Sequence, residues 1–245
     1  GWNDVVLLER KTLAGGTTWH AAGLVTQLRN SRTLIDIARY GVDLYSKLEK
    51  ETGVAVAFNR TGSITVARTE DRMDELKKVA SLGRAYDIDI EILTPDEAGR
   101  MWPLMRTDDL VGAVHIPMDG QVVPSKAALA MASGAVSGGA LLIENVRVTA
   151  VHKLDGRIAG VSTDSGDIKC EIVVNCAGMW AREVGQMCGV DVPLHAAEHM
   201  FLVTNRIEGV TPDIRSLRDP DEQIYFRRDV EEAGAILMGG FETTA

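Results

Sequence analysis

The chain has 245 residues, 45% of them hydrophobic, and a formal net charge of −9. That length can bury one large core or form two intertwined domains. The acidic balance argues against nucleic acid or an anionic membrane surface as the main partner, and no apolar run approaches a membrane span.

In chain order, Asp4-Val5-Val6-Leu7-Leu8-Glu9 reads as a short apolar strand ending in an acid. In a dinucleotide-binding fold, an acid at the end of the second strand hydrogen-bonds a ribose hydroxyl, about 20 residues after a glycine-rich loop. Only eight residues precede Glu9, and Gly1-Trp2-Asn3 reads as the turn leaving a missing helix. The expectation is an internal piece of a longer protein, without the first strand and the glycine loop. Next comes Gly16-Thr17-Thr18-Trp19-His20-Ala21-Ala22-Gly23-Leu24-Val25, a small-residue turn that lets backbone approach a flat cofactor closely and carries a histidine.

Leu34, Ala38, Val42, Tyr45 and Leu48 fall at helical steps between a Ser31 or Thr33 cap and Gly53. Gly62 to Ala67 reads as a strand, residues 70–86 as a charged, exposed helix, and Thr94-Pro95-Asp96-Glu97 as a capping box. Pro124 to Ser137, rich in alanine, reads as a buried helix. From Leu141 short strands follow, with Asp155-Gly156 and Ser165-Gly166-Asp167 as hairpin turns. Ile172 to Gly178 is an apolar run ending in small residues, the pattern of a buried parallel strand whose end abuts a cofactor. Ala235 to Phe241 reads as a last strand. Cys170, Cys176 and Cys188 form no Cys-x-x-Cys pair and no even disulfide set. With five scattered histidines they predict no metal site and a reducing compartment, the cytoplasm first and the mitochondrial matrix second.

Each signal has a bland counterpart. Glu9 alone is a surface residue more often than a ribose ligand, and a histidine among alanines is usually just satisfied by its surroundings. The order of the signals carries more. Gly16 to Val25, Glu49 to Gly53, Gly62-Ser63-Ile64, Pro117 to Gly120, Val174 to Arg182 and Tyr225-Phe226-Arg227 together resemble the sarcosine and dimethylglycine dehydrogenase family. These are FAD-dependent amine oxidoreductases of the D-amino acid oxidase superfamily.

The resemblance implies an α/β fold: an FAD-binding Rossmann-like domain, 1–54 and 119–190, intertwined with an α+β substrate domain, 55–118 and 191–245. It places Glu9, with Arg10 beside it, at the adenosine ribose and the Val148 backbone at adenine. Thr17, Thr18, Gly23 and Leu24 would lie along the flavin, His20 would carry it covalently, and Ala177, Gly178 and Trp180 would flank it. His199 and Tyr225 fall at active-site positions, against the plainer readings of a strand-edge histidine and an ordinary strand aromatic. His195 has no counterpart, and His115 and His152 read as structural. The implied reaction removes hydride from the N-methyl group of a small methylated glycine. Electron-transfer flavoprotein and a tetrahydrofolate domain outside this stretch are the further partners implied. Pro193 to His199 and Gly239 to Glu242 also resemble a non-catalytic homologue, the regulatory subunit of pyruvate dehydrogenase phosphatase, against which Trp19-His20 is the discriminating pair.

Overall fold

The computed structural model describes residues 2–29 and 31–241. The readings made at Gly1 and Glu242 lie outside them. The strands and helices are β1 (Val6–Glu9), β2 (Leu24–Val25), α1 (Arg32–Thr52), β3 (Ser63–Ala67), α2 (Glu70–Ala85), β4 (Glu91–Leu93), α3 (Pro95–Met101), β5 (Gly112–Ile116) and β6 (Gly120–Gln121). Then follow α4 (Pro124–Ser137), β7 (Leu141–Glu144), β8 (Val148–Leu154), β9 (Arg157–Thr163), β10 (Gly166–Lys169), α5 (Ala181–Met187), β11 (Phe201–Val203), β12 (Ser216–Asp219), β13 (Ile224–Arg228) and β14 (Ile236–Gly240).

Local chemistry sets the boundaries. Ser31 caps α1 by accepting the Leu34 N–H, and Gly53 closes it at φ 72°, where a side chain would be strained. Thr94 and Glu97 form the expected capping box on α3. Thr69 caps α2, whose first turn carries Glu70 and Asp71 against the helix dipole.

β1 and β7 pair in parallel, Val6 with Leu141 through Glu9 with Glu144. β8, β9 and β10 form the antiparallel meander. The large sheet has seven strands in the order β11-β14-β13-β12-β3-β5-β4, antiparallel except where β12 runs parallel to β3. Alternation gives it two unlike faces. Ile64, Val66, Ala113, Leu217 and Ile236 point into a core closed by Trp102 of α3's end. On the other face, Val114, Ile116 and Ala67 pack under α2 and Ile35 of α1, while the half built on β12 and β13 carries Ser216, Arg218, Tyr225 and Arg227.

Four expectations need correction. Ile172 to Gly178 is not a buried strand: it has no ladder partner among the described residues, and Ile172 and Val174 are 58% and 64% exposed. A run of apolar residues reports hydrophobicity, not the strand it pairs with. The α4 helix buries only Ala127 and Ala130, because α1 covers one narrow stripe of it, and Leu129, Met131 and Val136 stay exposed. In α2 the charged side faces solvent, but Met73, Leu76 and Ala80 are core residues against β3 and β5. In α1 the buried face runs through Ile35, Val42 and Leu48, and Leu34 lies outside.

Candidate functional site

A tight turn at Thr12 to Gly15 leads into a single helical turn, Thr18–His20, closed by Ala21 N–H donating to the Thr18 carbonyl at 3.1 Å. So short a turn buries none of its residues, and it presents Trp19 and His20 to solvent with ring centroids 3.6 Å apart. The chain then straightens into β2, held by pairing with β6. Gly23 adopts φ 70°, and a Cβ there would stand 2.1 Å from the Val122 carbonyl oxygen. Its smallness is demanded by the neighbouring backbone.

Across from this turn, one Glu9 carboxylate oxygen accepts the Lys11 N–H at 2.8 Å. Val146 N–H donates to the Glu9 carbonyl, which brings the start of β8 at Val148 to the same end of β1. The Arg10 guanidinium lies 3.9 Å over the Trp180 ring, and a Cβ on Gly16 would touch that ring at 3.6 Å. Trp180 ends a short turn whose approach is fixed by Asn175, which donates to the Ala181 carbonyl at 2.8 Å and accepts the Ala177 N–H. Gly178 is open, with nothing within 4 Å of a Cβ. Thus Trp180, with Arg10 stacked on it, meets the segment that leads to Thr17 and Thr18, Ala177 and Gly178 directly precede Trp180, and Glu9 and the start of β8 share one end of β1. The surroundings fit a dinucleotide: a second carboxylate oxygen for a hydroxyl, a polarised ring stack, and small residues leaving room for a flat group.

The polar half of the large sheet faces the same segment. Arg227, 5% exposed, donates from Nε to the Ala22 carbonyl and from Nη1 to the Arg228 carbonyl. Burial lowers its pKa, opposed by Asp229. Asp119, fully buried, accepts the Gln27 N–H at 2.9 Å and the Ser63 hydroxyl at 2.6 Å. Burial raises its pKa against those hydrogen bonds. Two ties therefore pin the stretch from Ala22 to Gln27 across the sheet.

Tyr225, 4% exposed, lies between Arg218 of β12 and Gly239 of β14, with its ring over the glycine. Phe241 stands 5.7 Å from Tyr225 and stacks on His199 at 5.4 Å, so the two expected active-site residues flank one aromatic ring. Arg218 and Arg29 form no direct ion pair among the described residues, and the carboxylate whose field reaches both is Asp119. Arg218 is held below the usual guanidinium pKa by desolvation and by Arg29. The sequence reading missed Arg218, Arg29, Asp119 and Phe241. Arg227 carried a usable signal, since period two places it on the same face as Tyr225. His115 is structural as expected, buried between Glu91 at 3.0 Å and Arg215 at 3.4 Å, and His152 meets the Ser162 hydroxyl.

Over residues 1–245 the sequence matches the DAO family, FAD dependent oxidoreductase. The chain belongs to this family. It is 41% identical over 242 residues to 4-methylaminobutanoate oxidase (formaldehyde-forming) of Paenarthrobacter nicotinovorans, covering 99% of this chain and 29% of that protein. It is 40% identical to mitochondrial sarcosine dehydrogenase of Homo sapiens, covering 99% of this chain and 27% of that one. The mitochondrial pyruvate dehydrogenase phosphatase regulatory subunit of Mus musculus is also 40% identical, with 99% and 28% covered. The chain thus spans under a third of the length of these relatives. Among solved structures, L-proline dehydrogenase from P. horikoshii superposes with a TM-score of 0.89 at 23% identity, over 98% of this chain and 63% of that one. Glycine oxidase from Geobacillus kaustophilus gives 0.83 at 25%, over 98% and 65%. The α/β flavoenzyme fold expected from the sequence is the fold observed. No helix among the described residues is long and apolar enough to cross a membrane.

Proposed function

We propose that this chain is the catalytic part of an FAD-dependent enzyme that oxidatively demethylates a small methylated amine, of the sarcosine or dimethylglycine type, and that His20 carries the cofactor. The supporting observation is His20 itself, exposed on its turn beside the dinucleotide-fitting residues, in a chain about 40% identical to two amine-oxidising enzymes. Glu9 would hold the ribose, and Arg10, Val148, Ala177, Gly178 and Trp180 the adenine and ring surroundings. Thr17, Thr18, Gly23 and Leu24 would line the flavin. In this reading 1–54 and 119–190 form the cofactor unit and 55–118 and 191–245 the substrate unit. In support, every strand of the seven-stranded sheet falls in the second set. Electron-transfer flavoprotein as acceptor, a tetrahydrofolate domain elsewhere in the protein, and a cytoplasmic or mitochondrial matrix location complete it, the last in line with the mitochondrial relatives.

When bound, FAD supplies the acceptor for the hydride leaving the N-methyl carbon. The protein's task is the amine. A substrate amine with a pKa near 10.4 is protonated by roughly three units at neutral pH, a cost of about 4 kcal/mol before hydride can leave. Imidazole exchanges protons in that range, so His199 is the base and Tyr225 positions the substrate. Arg218, the cross-strand neighbour of Tyr225, offers its guanidinium to the substrate carboxylate, with Arg29 adding to the positive field. The test is acid precipitation of the full-length protein. Flavin absorbance should stay with the pellet and leave it in His20→Ala; flavin lost from the wild-type pellet refutes covalent attachment. The regulatory-subunit relative supports a second, non-catalytic reading. A protein that retains no flavin and oxidises none of these amines would favour it.

A further inference from the structure

At the end of the large sheet, on the side opposite its polar face, the loop from Arg206 to Pro212 and the turn at Ala233 and Gly234 enclose an open cleft of about 630 Å³. That volume is in the range of small-molecule sites, and nothing in the demethylation reading uses it. Its walls are well held. Ile207 N–H donates to the Gly234 carbonyl at 2.9 Å, and Asp229 accepts the N–H groups of Glu231 and Glu232 at 2.9 and 2.7 Å. Arg206 lays its stem across Gly234, where a Cβ would stand 2.8 Å from Cγ.

Arg228 ends β13 and points away from Tyr225 and Arg227, because alternate residues of a strand take opposite faces. Its Nε is buried and has no acceptor among the described residues. A buried charged donor without an acceptor is costly, and the cost is recovered when a ligand accepts from it. The lining holds two guanidinium groups and one carboxylate, Glu208, which leaves one net positive charge. Ile207, Val210 and Pro212 supply an apolar wall. We propose that this cleft is a second, non-catalytic site for a small organic monocarboxylate, with the carboxylate between Arg228 and Arg206 and the hydrocarbon against Ile207, Val210 and Pro212.

The test is calorimetric titration of the full-length, flavin-loaded protein with butyrate, acetate and inorganic phosphate, reading flavin absorbance in parallel. Butyrate should fill a site that leaves the flavin spectrum unchanged. It should bind about tenfold more tightly than acetate there, from two further buried methylene groups. Arg228→Met and Arg206→Ala should each weaken that site about tenfold or more, while Arg218→Met leaves it intact. The Arg206 side chain is exposed, so its variant tests the site even if Arg228→Met misfolds. Four results would each overturn the proposal: no butyrate heat at millimolar concentration, heat only from a site that shifts the flavin spectrum, phosphate binding as tightly as butyrate, or wild-type binding in Arg206→Ala.

Discussion

Replacing Arg227 with methionine keeps most of the side chain's volume and removes its bond from β13 to the Ala22 carbonyl. Arg227 makes two bonds to buried or half-buried carbonyls, those of Ala22 and Arg228, and stands 3.9 Å from Asp229. A hydrogen bond from a charged donor contributes about 1.5–3 kcal/mol net. At an effective dielectric constant near 20, the pair with Asp229 is worth about 4 kcal/mol gross. Burial opposes both, since it disfavours the cation and lowers its pKa, and such desolvation cancels most of the Coulomb gain. Asp229 is not stranded in the variant, because it still accepts two backbone N–H groups. The expected loss at the segment is therefore about 2–3 kcal/mol, the value of the one bond that reaches it, to the Ala22 carbonyl. It should be local, because Asp119 and the β2–β6 pairing still hold the segment downstream. Hydrogen–deuterium exchange on the full-length protein should show the peptide spanning His20 to Leu24 opening some 30- to 100-fold faster, with flavin content reduced. Exchange within a factor of two of wild type, at full flavin content, would show that Arg227 does not hold this segment.

Three further outcomes follow from the same geometry. The Asp119 carboxyl has its pKa raised by burial, so its share of stability is complete below the unfolded value of about 3.9 and is lost as pH rises through the folded pKa. Asp119→Asn should flatten that fall in urea unfolding midpoints between pH 3.5 and 7, and parallel curves would count against it. Gly239→Ala would place a Cβ 2.2 Å from the Tyr225 hydroxyl, forcing the ring to move. Flavin reduction by substrate should slow while flavin content holds, and an unchanged rate would remove Tyr225 from the site. His199→Ala should slow anaerobic flavin reduction by about 10²-fold at neutral pH, with the loss shrinking towards the substrate's own pKa. A wild-type rate at neutral pH excludes His199 as the base.

Features governed by a few neighbouring residues were legible in the sequence. Ser31 and Gly53 bound α1, Thr94 and Glu97 cap α3, and Asp155-Gly156 turns β8 into β9, because each answers to chemistry within four residues. What failed depended on distant partners. Ile172 to Gly178 has the composition of a buried strand, but composition does not supply the neighbouring ladder. Leu141 to Glu144 looks like the first strand of the meander, yet it pairs in parallel with β1, more than 130 residues earlier.

The candidate site divides in the same way. Glu9, His20, Trp180 and Tyr225 each sit in a recognisable stretch. Asp119 lies in the recognisable stretch Pro117 to Gly120, but neither its role nor that of Arg218 is announced there, since a buried acid and a desolvated arginine are defined by what surrounds them. Their surroundings come from one non-local event, the parallel pairing of β12 with β3, which sets Ser216 beside Ser63 and Arg218 beside Thr65. Ser63 then reaches Asp119, Asp119 holds Gln27, and Arg218 stands next to Tyr225. A one-residue slip in that register would turn Arg218 into the apolar core and Leu217 towards the cofactor segment. Leu217 already fills a core against Trp102 and Ile236. The hydrophobic packing on one face of the sheet therefore fixes which polar groups meet on the other.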